Sequence, residues 1–225
     1  MSYIIASYKK WHDNFTDFLF EITGKKFYHI KSNEELTVEI LNDIKPKYIF
    51  FPHWSYKIPK EIYSSYECVI FHMTDLPFGR GGSPLQNLIS RGIYETQISA
   101  LRCVEELDGG PIYLKRPMAL YGSAEEIYLR AADIMKEMII HIVMKQPEPI
   151  PQQGEVVSFS RRKPEESDIA HLTNLTQVYD YIRMLDADGY PRAFLTTPFM
   201  KFEFQRAQIK QDRIIADVII TRRER

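Results

Sequence analysis

Four short apolar runs, at residues 3–6, 26–30, 48–51 and 68–71, alternate with segments of helical period, and that alternation leaves few architectures open. Between the first two runs an aromatic-rich amphipathic stretch, 12–22, ends at Gly24, which suits the left-handed turn that closes a helix. Ser32 and Glu35 have capping-box spacing ahead of Leu36, Ile40, Leu41 and Ile44, and Pro46 stops that helix just before the third run. Strands joined through helices pair in parallel, and a parallel sheet must be covered on both faces. The expected fold class is therefore α/β, a doubly wound and mostly parallel sheet.

The pattern changes beyond residue 78. Gly79, Arg80, Gly81 and Gly82 read as a flexible loop, and Ser83-Pro84 opens a short helix carrying Leu85, Leu88 and Ile89 to Gly92. Residues 97–104 and 112–120 read as strands, an antiparallel addition to the sheet, around the acidic turn Glu105-Glu106-Leu107-Asp108-Gly109-Gly110. Ser123 and Glu126 form a second capping box before a stripe of Ile127, Ala131, Ile134, Met138 and Ile142. The proline-rich segment 146–154 cannot continue that helix. It divides an expected catalytic domain, 1–150, from a small α+β extension, 151–225, with strands near 156–159, 199–204 and 214–221 and a helix at 174–185.

Composition narrows the partners. Lys and Arg total 29 against 30 Asp and Glu, so no overall charge draws the chain to nucleic acid or to an anionic membrane. Cys68 and Cys103 lie in apolar runs without metal-site spacing and read as buried thiols, and no metal is expected. No stretch of about 18 apolar residues is present, so a cytoplasmic location without membrane contact is expected.

His72 stands at the carboxyl end of the fourth run, where ligands of open α/β sheets gather. It leads into Met73-Thr74-Asp75-Leu76-Pro77, then Arg80-Gly81 and Ser83-Pro84-Leu85-Gln86, and Glu106-Leu107-Asp108-Gly109-Gly110 follows. These two motifs resemble, in order and spacing, the signature of the formyltransferase family, and the segment ending Lys57-Ile58-Pro59-Lys60 resembles the one that holds the folate ring in that family. The resemblance covers roughly residues 45 to 200 and implies a Rossmann-like formyltransferase sheet. It implies transfer of formyl from N10-formyltetrahydrofolate to a primary amine, leaving tetrahydrofolate. His72 is the implied general base or acid, with Asp108 orienting it or relaying protons. The chemistry suits these residues, because an amine attacking a carbonyl must lose a proton and an imidazole titrates near ~6.5. Lys57, Ile58, Thr74, Asp75, Leu76, Pro77, Val104 and Glu106 are the implied cofactor contacts.

One position departs from the family. Ile70 stands two residues before His72, where the family places Asn to hold the formyl oxygen, and an isoleucine has no hydrogen-bond donor. His53, a backbone amide or His72 itself is expected to compensate. Resemblance of Arg161-Arg162-Lys163-Pro164, Tyr181-Ile182-Arg183 and 190–194 to the C-terminal portion of sugar-modifying members makes Arg161 and Arg162, with Arg80, candidate acceptor contacts. The short C-terminal portion and the net charge of -1 lead to an expected acceptor that is a nucleotide-linked amino sugar, a 4-amino-4,6-dideoxy sugar of the kind built into cell-surface polysaccharides, and not a nucleic acid. Two alternatives stand beside it: acyl transfer to a tRNA- or carrier-bound amino acid, as in methionyl-tRNA formyltransferases, and a non-catalytic folate- or nucleotide-binding relative. A homodimer is compatible with all three.

Overall fold

The computed structural model describes residues 1–223, in two compact units. The first comprises 1–81, 96–118 and 129–158; the second comprises 82–95, 119–128 and the chain from 159 onward.

The first unit is built on strands β1 (Ser2–Ala6), β2 (Lys26–Ile30), β3 (Pro46–Pro52) and β4 (Cys68–His72), with helices α1 (Phe15–Thr23), α2 (Val38–Ile44) and α3 (Lys60–Tyr63) between them. Strands β6 (Glu95–Arg102) and β7 (Ile112–Ala119) complete a six-stranded sheet of order β2-β1-β3-β4-β6-β7. Pairing is parallel from β2 to β4 and antiparallel between β4 and β6. The expected α/β, mostly parallel sheet is what forms, because β1 and β3 carry apolar side chains in both directions. Ile4, Ile49 and Phe51 enter one buried cluster with Leu41, Ile62 and Cys68, while Tyr3 stacks on Phe27 and Tyr48.

Local signals explain most boundaries. Gly24 closes α1 at φ 63 and donates its N–H to the Phe20 carbonyl at 2.8 Å. The helix begins at Phe15 rather than at 12, since Lys10–His12 forms a 3-10 turn that buries His12. Thr37, not Ser32, caps α2, accepting the Ile40 N–H; the Ser32–Glu35 pair closes a turn in which Glu35 accepts the Lys31 N–H at 2.8 Å. The Ser123–Glu126 box forms as expected ahead of the 22-residue α5 (Ala124–Lys145), with Glu126 accepting the Ser123 N–H at 2.7 Å. Residues read as a flexible loop instead form β5 (Phe78–Gly81), paired with β8 (Val157–Phe159). Glycine disfavours strands, but here β8 and the Asp108 carboxylate supply the amide partners that propensity cannot foresee.

The second unit packs α4 (Pro84–Ile89) and α6 (Leu175–Arg183) with a three-stranded sheet of order β11-β10-β9. Its strands are β9 (Ala193–Thr196), β10 (Met200–Ile209) and β11 (Ile214–Arg222), the last two joined antiparallel. Buried Arg183 is satisfied by Asp180 at 2.7 Å and by the carbonyls of Leu120 and Gly122 at 2.6 and 2.9 Å. Such full pairing is what a buried guanidinium requires.

Candidate active site

β4 ends on His72, and a loop from β6 brings Asp108 to it. The two side chains, each 8% exposed, face each other with Nδ1 3.6 Å from Oδ2. His72 Nε2 lies 2.7 Å from the Gly79 carbonyl, which can only accept, so Nε2 carries hydrogen and Nδ1 keeps its lone pair while the ring is neutral. Asp108 in turn accepts the Gly81 N–H at 2.9 Å through Oδ2. Thr74, fully buried beside this ring, donates to the same Gly79 carbonyl at 3.3 Å.

The loop that carries Asp108 is held from several sides. Asp108 has φ 52, a left-handed conformation that Asp adopts more readily than most residues. Gly110 serves by its size, since a Cβ there would sit 1.8 Å from the Arg102 carbonyl oxygen. In this turn the positive φ falls on Asp108 and the close approach on Gly110. Arg80 donates to Glu106 at 2.6 Å and to Gln152 at 3.1 and 2.8 Å, and Gln152 donates to the Asp108 and Gly110 carbonyls at 2.7 and 2.8 Å. Gln152, in a segment read as linker, and Ser99, which bonds both the Thr74 carbonyl and the Leu76 N–H at 2.8 and 3.3 Å, were missed. Only their tertiary neighbours mark them.

The remaining candidates divide. Leu76 and Pro77 are buried at the foot of the 74–77 loop, and exposed Asp75 pairs with Lys115 at 2.5 Å. Val104 is half-buried, Lys57 is exposed, and Ile58 is inside the apolar cluster rather than on a surface. Arg161 and Arg162 belong to the second unit. The backbone of Arg161 lies so close to Gly82 that a Cβ there would meet it at 2.6 Å. Arg162 donates to the Glu166 carbonyl at 2.5 Å and covers the Tyr181 ring at 5.3 Å.

Ile70 is half-buried against the apolar cluster, opposite Phe51 and Leu101. His53 is engaged elsewhere. At φ 50, its Nε2 lies 2.9 Å from Met73 Sδ, while Nδ1 meets Trp11 Nε1 at 3.3 Å and His12 Nε2 at 3.2 Å. His12 Nδ1 is 2.6 Å from the Ser7 hydroxyl. Desolvation pushes the His53 pKa down to about 3 and that of His12 far below its usual range, so both rings are neutral. Among the described residues no group of three or more His, Cys, Asp or Glu is placed to hold a metal ion, and no helix is long and apolar enough to cross a membrane.

A strand-terminal His paired with the Asp of a following acidic turn, on this mostly parallel sheet, defines the formyltransferase fold. A solved structure of methionyl-tRNA formyltransferase from Clostridium thermocellum is 49% identical, covers 99% of both chains and superimposes with a TM-score of 0.95. The chain belongs to the formyltransferase family, on its methionyl-tRNA formyltransferase-like side. A family model described as methionyl-tRNA formyltransferase, C-terminal domain, matches residues 164–221. The curated methionyl-tRNA formyltransferase of Carboxydothermus hydrogenoformans is 28% identical over 189 residues, which span 80% of this chain but 60% of that relative. A sugar N-formyltransferase from Shewanella sp FDAARGOS_354 shares the fold, with a TM-score of 0.68 over 88% of this chain and 93% of its own, at only 16% identity.

These matches overturn the expectation of an amino-sugar acceptor from polysaccharide synthesis and, with it, the exclusion of a nucleic-acid partner. The short C-terminal portion taken as evidence against tRNA is the very segment that the tRNA-enzyme model matches. Net charge misled for a physical reason: it is a sum over the whole surface, whereas phosphate contacts depend on where a few cations sit.

Proposed function

We propose that the chain transfers a formyl group from 10-formyltetrahydrofolate to the α-amino group of methionine carried on tRNA. The observation that carries this reading is the buried His72–Asp108 pair in a chain so similar, end to end, to a methionyl-tRNA formyltransferase structure.

The groups around the pair fit a reduced folate. Leu107, 71% exposed, directly precedes Asp108 and offers an apolar surface to a flat ring. The cofactor supplies the activated formyl carbonyl; Thr74 to Pro77, Val104 and Glu106 form its binding loops. Lys57 and Ile58 contribute through their backbone, since the Ile58 side chain is buried.

The protein's own task is to take a proton from the acceptor amine as it becomes an amide. His72 Nδ1 carries the lone pair for that purpose, because Nε2 is committed to Gly79. Asp108, anchored on the Gly81 amide, stabilises the imidazolium that results. Burial of both side chains keeps competing water away and strengthens the charge interaction. Arg80, Glu106 and Gln152 position the loop rather than touch the reacting atoms. The direct test is formylation of methionyl-tRNA with 10-formyltetrahydrofolate, followed by release and identification of the amino acid. Formylmethionine is expected; its absence under saturating donor would overturn the reading.

A further inference from the structure

The carboxyl ends of β1 and β3 carry a surface whose side chains the formyl-transfer chemistry does not use, Lys57 serving the folate site through its backbone alone. After β1 the chain reads Tyr8-Lys9-Lys10-Trp11, and after β3 it reads Trp54-Ser55-Tyr56-Lys57, so each segment combines two aromatic residues with at least one lysine. The fold brings the two together. Tyr8 packs against Trp54 and Tyr56 with ring centroids 6.2 and 5.8 Å apart, Trp54 meets Tyr56 at 5.4 Å, and the Tyr8 hydroxyl donates to Ser55 at 2.9 Å. Lys9 Nζ lies 5.0 Å from the Tyr8 ring and 5.5 Å from that of Trp11. Tyr8 and Tyr56 remain 39% and 51% exposed, and Lys10 and Lys57 are exposed too. Trp54, in the middle of the cluster, has a buried indole N–H that meets no acceptor among the described residues.

Exposed aromatic rings interleaved with lysines are the chemistry of single-stranded nucleic acid: bases stack on the rings, and phosphates meet the cations. No carboxylate lies within either segment. Pairing of Pro52 with Phe71 puts the end of β3 beside the end of β4, so this surface adjoins His72 on the side away from β6 and its 104–108 loop. We propose that the Tyr8–Trp11 and Trp54–Lys57 segments bind the unpaired 3′ end of the acceptor RNA, stacking its bases on Tyr8 and Tyr56 and holding its phosphates with Lys9, Lys10 and Lys57. The assignment rests on the methionyl-tRNA reading for the identity of the RNA but not for the binding itself.

Both tryptophans of the chain lie in this patch, so indole fluorescence reports occupancy directly. Titration of the full chain with a tetraribonucleotide ending in CCA is expected to shift the emission saturably and to weaken as salt rises. Tyr56→Leu and Tyr8→Leu should each weaken binding about tenfold, whereas Tyr56→Phe, which keeps the ring, should bind like the parent. Lys9→Ala combined with Lys10→Ala should flatten the salt dependence. Tetrahydrofolate should bind alongside the oligonucleotide. Absence of saturable binding, indifference to the leucine substitutions, or displacement of the oligonucleotide by tetrahydrofolate would overturn the proposal. A parent that binds the oligonucleotide through Tyr8 and Tyr56 yet does not formylate methionyl-tRNA would refute the acceptor reading and leave the binding surface standing.

Discussion

Ile70 occupies a β4 position on the same side of the strand as His72 and packs into an aliphatic cluster with Phe51 and Ile58 close by. An asparagine there would bring an amide into surroundings with few acceptors, at a cost of about 1–3 kcal/mol in stability. Ile70→Asn is therefore expected to lower the urea midpoint without raising turnover; a tenfold gain in formyl transfer, about 1.4 kcal/mol of barrier, would contradict this. His72→Ala and Asp108→Ala should each reduce kcat by at least about 100-fold while circular dichroism stays unchanged. Near-parental turnover in either variant would remove that residue from the mechanism. Both residues were legible in the sequence because chemistry fixes their type and a motif fixes their spacing. The tautomer of His72 was not, since it depends on a carbonyl seven residues further on that only the folded backbone delivers.

At the scale of elements, the Asp108 loop is held by side chains from distant segments. Gln152 reaches its two carbonyls from 42 and 44 residues away, and Arg80 clamps Gln152 in place. Gln152→Ala should lower kcat by about 10- to 100-fold, as displacement of a catalytic group does, with little change in the KM for donor. Steady-state kinetics with varied 10-formyltetrahydrofolate would show an equal or larger rise in KM instead if Gln152 served binding. Helix ends such as Gly24 and Ser123–Glu126 could be read from sequence because capping is local. β5 could not, because its strand character comes from β8 and Asp108 rather than from Gly79 and Gly81.

On the scale of the whole molecule, stability should depend on pH through His12 and His53. In the unfolded chain His12 and His53 accept protons near ~6.5, whereas in the fold desolvation holds His53 down to about 3 and His12 lower still. The unfolded state therefore binds more protons below ~6.5, and stability, complete above that pH, falls with acidification by up to about 1.4 kcal/mol per pH unit for each ring. Urea midpoints at pH 7.5 and 5 would measure the loss, and His53→Gln should reduce it; equal midpoints in the parent would count against the neutral pair. The sequence by itself determined the α/β class and the parallel order of its opening, because apolar period is a local property, and its resemblance to a family signature singled out the His72 and Asp108 that the fold brings together. Tertiary structure decided which polar groups meet. The Gly79 carbonyl on His72, Gln152 under Asp108, the neutral His12–His53 pair and the aromatic surface of Tyr8 and Trp54 all join segments far apart in the chain. Hydrogen bonds and ring contacts act over a few ångströms, and the fold sets those distances.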